Sequence, residues 1–246
     1  MPDIVTAAMI VIGDEILSGR TKDKNIGHLA DMMTAIGIDL KEVRVVPDEE
    51  DEIAAAVNAL RARYTYVFTT GGIGPTHDDI TADSVSKAFG VPCEYDAKAL
   101  TLLAASYEKR GIEFNDARKR MARMPRGAEH IDNPVSVAPG FRIGNVHVMA
   151  GVPSIFQAML DNVMPTLKTG TKLLSATVQC PFGEGRIGEP LAAIQKAHPD
   201  TIIGSYPKYA DGSFWTELVV RARSAEALEA ARAEVEAMVA GLVAEG

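Results

Sequence analysis

The chain is poor in cysteine: Cys93 and Cys180 are its only two among 246 residues, far apart and in no Cys-x-x-Cys pair. That excludes a disulfide framework and a cysteine zinc site, and both thiols are expected to be reduced and buried. No apolar run approaches the ~18 residues of a transmembrane helix. Met1 to Gly13 also lacks the basic start of a signal peptide. A cytoplasmic protein with no membrane partner is therefore expected. The five histidines show no metal-ligand spacing. There is no His-Glu-x-x-His, no Gly-x-Ser-x-Gly elbow and no phosphate loop closed by Lys-Ser/Thr. Positive charge is short too, with 25 Lys and Arg against 33 Asp and Glu and a net charge of −8. A general affinity for nucleic acid or anionic membrane is thereby disfavoured. A small phosphorylated ligand, read by a local site, is not.

What is present is globular. Hydrophobic residues make up 47% and charged residues 24%, and the length falls between one and two domains. Ile4 to Ile12 is a β-branched run closed by Gly13. Ile26, Leu29, Met33 and Ile36 mark one helix face, stopped by Gly37. Val43 to Val46 reads as a second strand ended by Pro47, with Asp48 placed to cap a helix carrying Ile53, Ala56, Val57 and Leu60. Tyr64 to Thr70 is a third strand. This alternation predicts an α/β fold: a three-layer, doubly wound, mainly parallel sheet with helices on both faces. Further helices are expected at Ile80 to Phe89, Asp96 to Arg110, Asp116 to Met124 and Pro153 to Leu167, with short strands near His130, Phe141 and His147. After Lys168-Thr169-Gly170-Thr171 the order becomes strand (Leu173 to Cys180), helix (Glu189 to Ala197, opened by a loop at Gly185 to Gly188), strand (Thr201 to Ser205), strand (Phe214 to Arg223) and helix (Ala225 to Leu242). Two domains follow, 1–169 and a smaller α+β domain at 170–246.

The stretch from Thr69 to Asp79, Thr-Thr-Gly-Gly-Ile-Gly-Pro-Thr-His-Asp-Asp, leaves a strand and enters a helix. Its glycines Gly71, Gly72 and Gly74 let a backbone turn sharply beside a ligand, and amides at the next helix start can hold phosphate. Thr70, Pro75 and Thr76 share the loop. In an open α/β sheet this is the edge where ligands bind. Gly13-Asp14-Glu15-Ile16-Leu17-Ser18-Gly19 and Pro47-Asp48-Glu49-Glu50-Asp51 are acidic turns past the first two strands. Carboxylates so placed can converge on a Mg²⁺-type ion that also takes phosphate oxygens. The plain alternative for Asp48 is a helix cap alone, and for Asp14 and Glu15 capping or solvation. Pro139-Gly140 and Gly151-Val152-Pro153-Ser154 are turns able to complete the site. His77 reads as a surface loop residue.

Gly13 to Gly19, Thr69 to Thr81 and Gly151 to Ser154 together resemble the molybdopterin-binding domain of the MoaB/MogA-type molybdenum-cofactor proteins. Within that family the likeness is to the amino-terminal part of CinA-type competence/damage-inducible proteins. It covers roughly residues 4–168, and the remainder resembles the small KH-type domain that follows in CinA-like chains. The resemblance implies binding of molybdopterin or a nucleotide. It also implies metal-dependent phosphoanhydride chemistry, as a pyrophosphatase acting on ADP-ribose-like substrates or as adenylyl transfer. By motif position the catalytic and Mg²⁺-holding aspartates fall on Asp48 and Asp79. The phosphate- and substrate-binding positions fall on Asp14, Glu15, Ser18, Thr70, Gly71, Gly72, Gly74, Pro75, Thr76, Pro139, Gly140, Gly151, Val152, Pro153 and Ser154. The chain departs from the family pattern at Met121, Ser136, Ala150 and Ile155, which keeps a second reading open: a non-catalytic binding module. A homodimer is implied. The small domain is expected to serve packing or subunit contact, through the apolar strand Phe214 to Val220 and the Ala-rich face of the last helix. Gly185-Arg186-Ile187-Gly188 spells the GXXG of nucleic-acid clamps. From residue 170 onward, however, seven Lys and Arg stand against ten Asp and Glu. No RNA or DNA partner is expected.

Overall fold

The computed structural model describes residues 3–245, in two compact units. The first, Ile4–Gly170, is built on a six-stranded sheet. Its elements run β1 (Val5–Ile12), α1 (Asp14–Leu17), α2 (Asn25–Ala35), β2 (Ile38–Val46), α3 (Glu50–Arg61), β3 (Tyr66–Thr70) and α4 (Thr81–Phe89). They continue with β4 (Cys93–Tyr95), α5 (Ala97–Lys109), α6 (Asp116–Lys119), β5 (Arg123–Pro125), β6 (Glu129–Ile131), β7 (Gly140–Ile143), β8 (Val146–Met149) and α7 (Pro153–Val163). The strand order is β2-β1-β3-β8-β7-β6, and β4 pairs with β5 in a separate ribbon. The first four strands are mutually parallel, while β7 and β6 are antiparallel additions.

The period-two alternation of β1 makes the layers. Ala8, Ile10 and Ile12 point to one face, where Ile53, Val57 and Leu60 of α3, Val85 of α4 and Leu103 of α5 cover them. Val5, Ala7, Met9 and Val11 point to the other, under Leu29 and Met33 of α2 and Phe156, Met159 and Leu160 of α7. A strand covered on both faces reads as an unbroken apolar run, which is why β1 is so plain in the sequence.

The second unit, Thr171–Gly246, holds β9 (Leu174–Cys180), α8 (Glu184–Ala197), β10 (Thr201–Ala210), β11 (Ser213–Ala222) and α9 (Ala225–Ala244). Its antiparallel sheet has the order β10-β11-β9. Asp3 belongs to this unit through its carbonyl, which accepts from the Thr171 N–H at 3.0 Å.

Several expectations need correction. Asp48 does not cap α3: Glu49 holds the cap position without a side-chain bond, and the Asp48 carboxylate is used elsewhere. The helix expected over Asp116 to Met124 stops at Lys119, passes through a 3-10 turn at Arg120–Ala122 and becomes β5, because Met124 is needed against the core. α8 begins at Glu184, so Gly185 to Gly188 lies inside a helix and is no loop. Cys93 is only partly buried, while Cys180 is buried, and both are free. Of the surfaces expected to serve packing or subunit contact, the inward residues serve packing, while Phe214 stays exposed. Leu218 and Val220 pack with Ala231, Val235 and Val239 of α9 into its own core.

Candidate functional site

Parallel strands end on one edge, so the turns after β1, β2, β3 and β8 gather there. Hydrogen bonds tie them together. The Gly13 N–H donates to Val46 O at 3.2 Å, and the Asp14 N–H donates to Asp48 Oδ2 at 3.0 Å. The Gly71 N–H donates to Met149 O, and the Thr70 hydroxyl to Ala150 O at 3.0 Å. Thr81, at the start of α4, donates its hydroxyl to Gly71 O and its N–H to Gly72 O, each at 3.0 Å.

The glycines are first of all packing residues. Gly71 sits at φ +107°, and a Cβ there would stand 2.2 Å from the Ile12 carbonyl oxygen. Gly72, at φ +66°, would collide with the Thr81 hydroxyl. A Cβ on Gly151 would come within 3.3 Å of Gly71 Cα, so the β3 and β8 turns lie in close approach.

Asn25 joins these turns and was not singled out in the sequence. It is buried, and its Nδ2 donates to Thr70 Oγ1 and to Gly151 O, both at 2.9 Å. Its sequence signal is indirect. Asp23 already accepts from the Asn25 and Ile26 N–H groups, so the start of α2 is satisfied and the Asn25 amide is released for other work.

Beside the glycine loop a cleft is lined by Gly72, Gly74 and Asp79 on one side and by Arg120, Arg123 and Pro139 on the other. Asp79 is held by Thr76, whose N–H and hydroxyl donate to Asp79 Oδ2 at 2.7 and 2.6 Å. Arg123 makes a two-pronged pair with Asp83, at 2.8 and 2.5 Å. The basic stretch Arg118-Lys119-Arg120, standing out in an acidic chain, is the signal that points to this wall.

Asp14 and Glu15 are exposed in the first turn of α1, facing the Asp48 turn. Partial burial, with the charges of Asp14, Glu15 and Asp78 adding to it, holds the Asp48 carboxyl above the usual carboxylate range, against the bond from Asp14. Among the described residues no three His, Cys, Asp or Glu side chains form a ready metal cluster, so Asp48 and Asp79 are not joined in one. Ser18 is an exposed helix-end residue, and Pro75 and Thr76 are exposed on the glycine loop. Gly140 is buried as the first residue of β7. Gly151, Val152 and Ser154 are exposed and Pro153 opens α7. His77 is fully exposed.

Residues 8–169 match the family described as a probable molybdopterin binding domain, and residues 172–245 match the FAD synthase middle domain. A protein of Caldivirga maquilingensis is 38% identical over 166 residues, which is 66% of this chain. The alignment takes in 65% of that relative, a little under two thirds of its length. A protein of Aeropyrum pernix is 34% identical over 242 residues, covering 93% of this chain and 88% of the relative. Among solved structures, a protein from Thermoplasma acidophilum described as CinA with unknown function superposes with a TM-score of 0.61 at 32% identity. It covers 66% of this chain and 98% of its own. With the family match running through most of the sheet and every turn at the carboxyl edge of its parallel strands, this chain belongs to the molybdopterin-binding, MoaB/MogA-type domain family and has a CinA structural neighbour.

Proposed function

We propose that the Ile4–Gly170 unit binds a phosphorylated pterin or nucleotide at the carboxyl edge of its parallel strands and acts there on a phosphoanhydride bond. The observation that carries this reading is the convergence of four strand-end turns on one edge, locked by Asn25, Thr70 and Thr81, beside a cleft that holds both carboxylate and guanidinium groups. Such preorganisation suits a site whose work is positioning and electrostatics. The cleft itself has room for about one water-sized volume, 10 Å³, so it would take an anionic tip while a ring lies outside on the exposed turns.

The crowded carboxylates of Asp14, Glu15 and Asp48 suit a hard divalent cation, whose charge would relieve their mutual repulsion. Asp48, with Asp79 across the loop, would hold it together with ligand oxygens. When bound, such an ion supplies Lewis-acid stabilisation of charge on the phosphoanhydride oxygens. The chain's own part is to fix the phosphates with loop amides, to orient Asp79 through Thr76 and to keep the turns from moving.

The second reading, a binding module without turnover, is favoured by one observation: Thr76 already occupies an Asp79 carboxylate oxygen through both its N–H and its hydroxyl. Calorimetry and product analysis separate the two, using ADP-ribose, and molybdopterin with ATP, each with Mg²⁺ or with EDTA. Metal-dependent turnover, lost at least 100-fold in Asp48→Asn, is the expected result. Binding without turnover across several divalent metals would leave the module reading. Absence of binding to every one of these ligands by folded protein would refute both.

A further inference from the structure

Within the cleft the charges are unequally committed. Arg123 is neutralised by its two contacts to Asp83. Asp79 turns its carboxylate toward Thr76 and offers Arg120 only its backbone carbonyl, at 3.3 Å from Nη2. Arg120 forms no ion pair among the described residues, and its Nε is buried without a hydrogen-bond partner. A buried donor left unmatched is unfavourable, and a guanidinium is shaped for two-pronged bonding to a planar or tetrahedral anion. The 3-10 turn Arg120–Ala122 anchors it through buried Ala122, so the head group is carried on fixed backbone.

We propose that Arg120 is the anion-reading residue of this cleft, accepting a phosphoryl or diphosphate group against the Gly72–Gly74 loop and setting the preference for phosphorylated over unphosphorylated ligands. The assignment rests on the proposed function for the identity of the whole ligand, but not for the presence of the anion. The neighbouring Arg123 cannot serve as well, because engaging an anion would strip Asp83 of its partner.

The test uses the full chain and three probes, inorganic pyrophosphate, ADP-ribose and adenosine, with affinities measured by calorimetry at low and moderate salt. Arg120→Gln is expected to weaken pyrophosphate and ADP-ribose at least 10-fold, to flatten their salt dependence and to leave adenosine unchanged. Arg120→Lys, which keeps charge without the fork, is expected to fall between wild type and Arg120→Gln. The graded order Arg, Lys, Gln on the anionic probes alone is a signature that a purely structural role would not produce. If Arg120→Gln does not fold, the Lys variant and the salt dependence of the wild type carry the comparison. Arg120-dependent binding of pyrophosphate without any binding of ADP-ribose would refute the nucleotide reading and support this assignment. Pyrophosphate that does not bind, or binds without regard to residue 120, overturns it.

Discussion

His147 is a buried residue that ties stability to pH. Its ring stacks on Phe68 at 5.2 Å between centroids and meets the edge of Tyr66, and its ring nitrogens make no well-formed hydrogen bond, only weaker approaches to the Asn145 and Val67 backbone. Burial, with the Arg142 charge adding to it, pushes its pKa down to about 4. The unfolded chain takes up this proton near pH 6.5, well before the folded one does. Stability from this group is therefore complete above pH 6.5 and is lost as the pH falls toward 4, by up to about 3 kcal/mol. Urea titrations of wild type and His147→Phe across pH 4–7 should differ in slope, with the variant flatter. Parallel slopes would refute the argument. Nothing in Val146-His147-Val148 announces this, because a strand buried on both faces hides which polar residue lacks a well-formed bond. Gly71 was legible as a turn glycine, but the reason lies in tertiary contact. Gly71→Ala should cost at least ~2 kcal/mol, through positive φ and collision with the Ile12 carbonyl. Gly90→Ala, also at positive φ but with open space around it, should cost about 1 kcal/mol. Equal losses would show that the backbone angle alone decides.

At the scale of elements, α2 is two things at once. Its Leu29 and Met33 cover the sheet, and its first residue ties two turns of the site. Asn25→Ala should lower stability by about 1–3 kcal/mol and also weaken ADP-ribose binding several-fold. A loss of stability with unchanged affinity would confine Asn25 to the scaffold. The helix face of α2 could be read from apolar spacing. The inward amide could not, since it depends on where Thr70 and Gly151 arrive from distant sequence. α8 shows the reverse failure. Gly185, Gly188 and Pro190 are poor helix formers, so local propensity delays the helix start to Glu189. Burial of Ile187 against the second unit's core extends it back to Glu184. A Cβ at Gly185 or Gly188 would meet nothing within 4 Å, so each Gly→Ala change should raise stability by about 0.5–1 kcal/mol. Destabilisation by both would mean that the glycines serve close approach to another molecule.

The whole molecule is two cores, one around the parallel sheet and one beneath the antiparallel sheet. The alternation of strand and helix disclosed the first and the change of order after residue 170 disclosed the second. The antiparallel turn of the sheet at β7 and β6 was less legible, because four- and three-residue strands carry too short a pattern. A fragment spanning residues 4–170 should fold alone and keep the pyrophosphate response of the full chain, checked by circular dichroism and calorimetry. An unfolded fragment would show that the cores depend on each other. The bond between Asp3 and Thr171 has one more consequence. It pinches the entry and exit of the Ile4–Gly170 segment together, so that segment is topologically a closed loop inserted into the smaller unit. Its two ends could be spliced by a few residues, and new termini opened at an exposed turn such as Gly111, without unthreading any strand. In engineering terms it is a cassette, expected to be permutable as one piece.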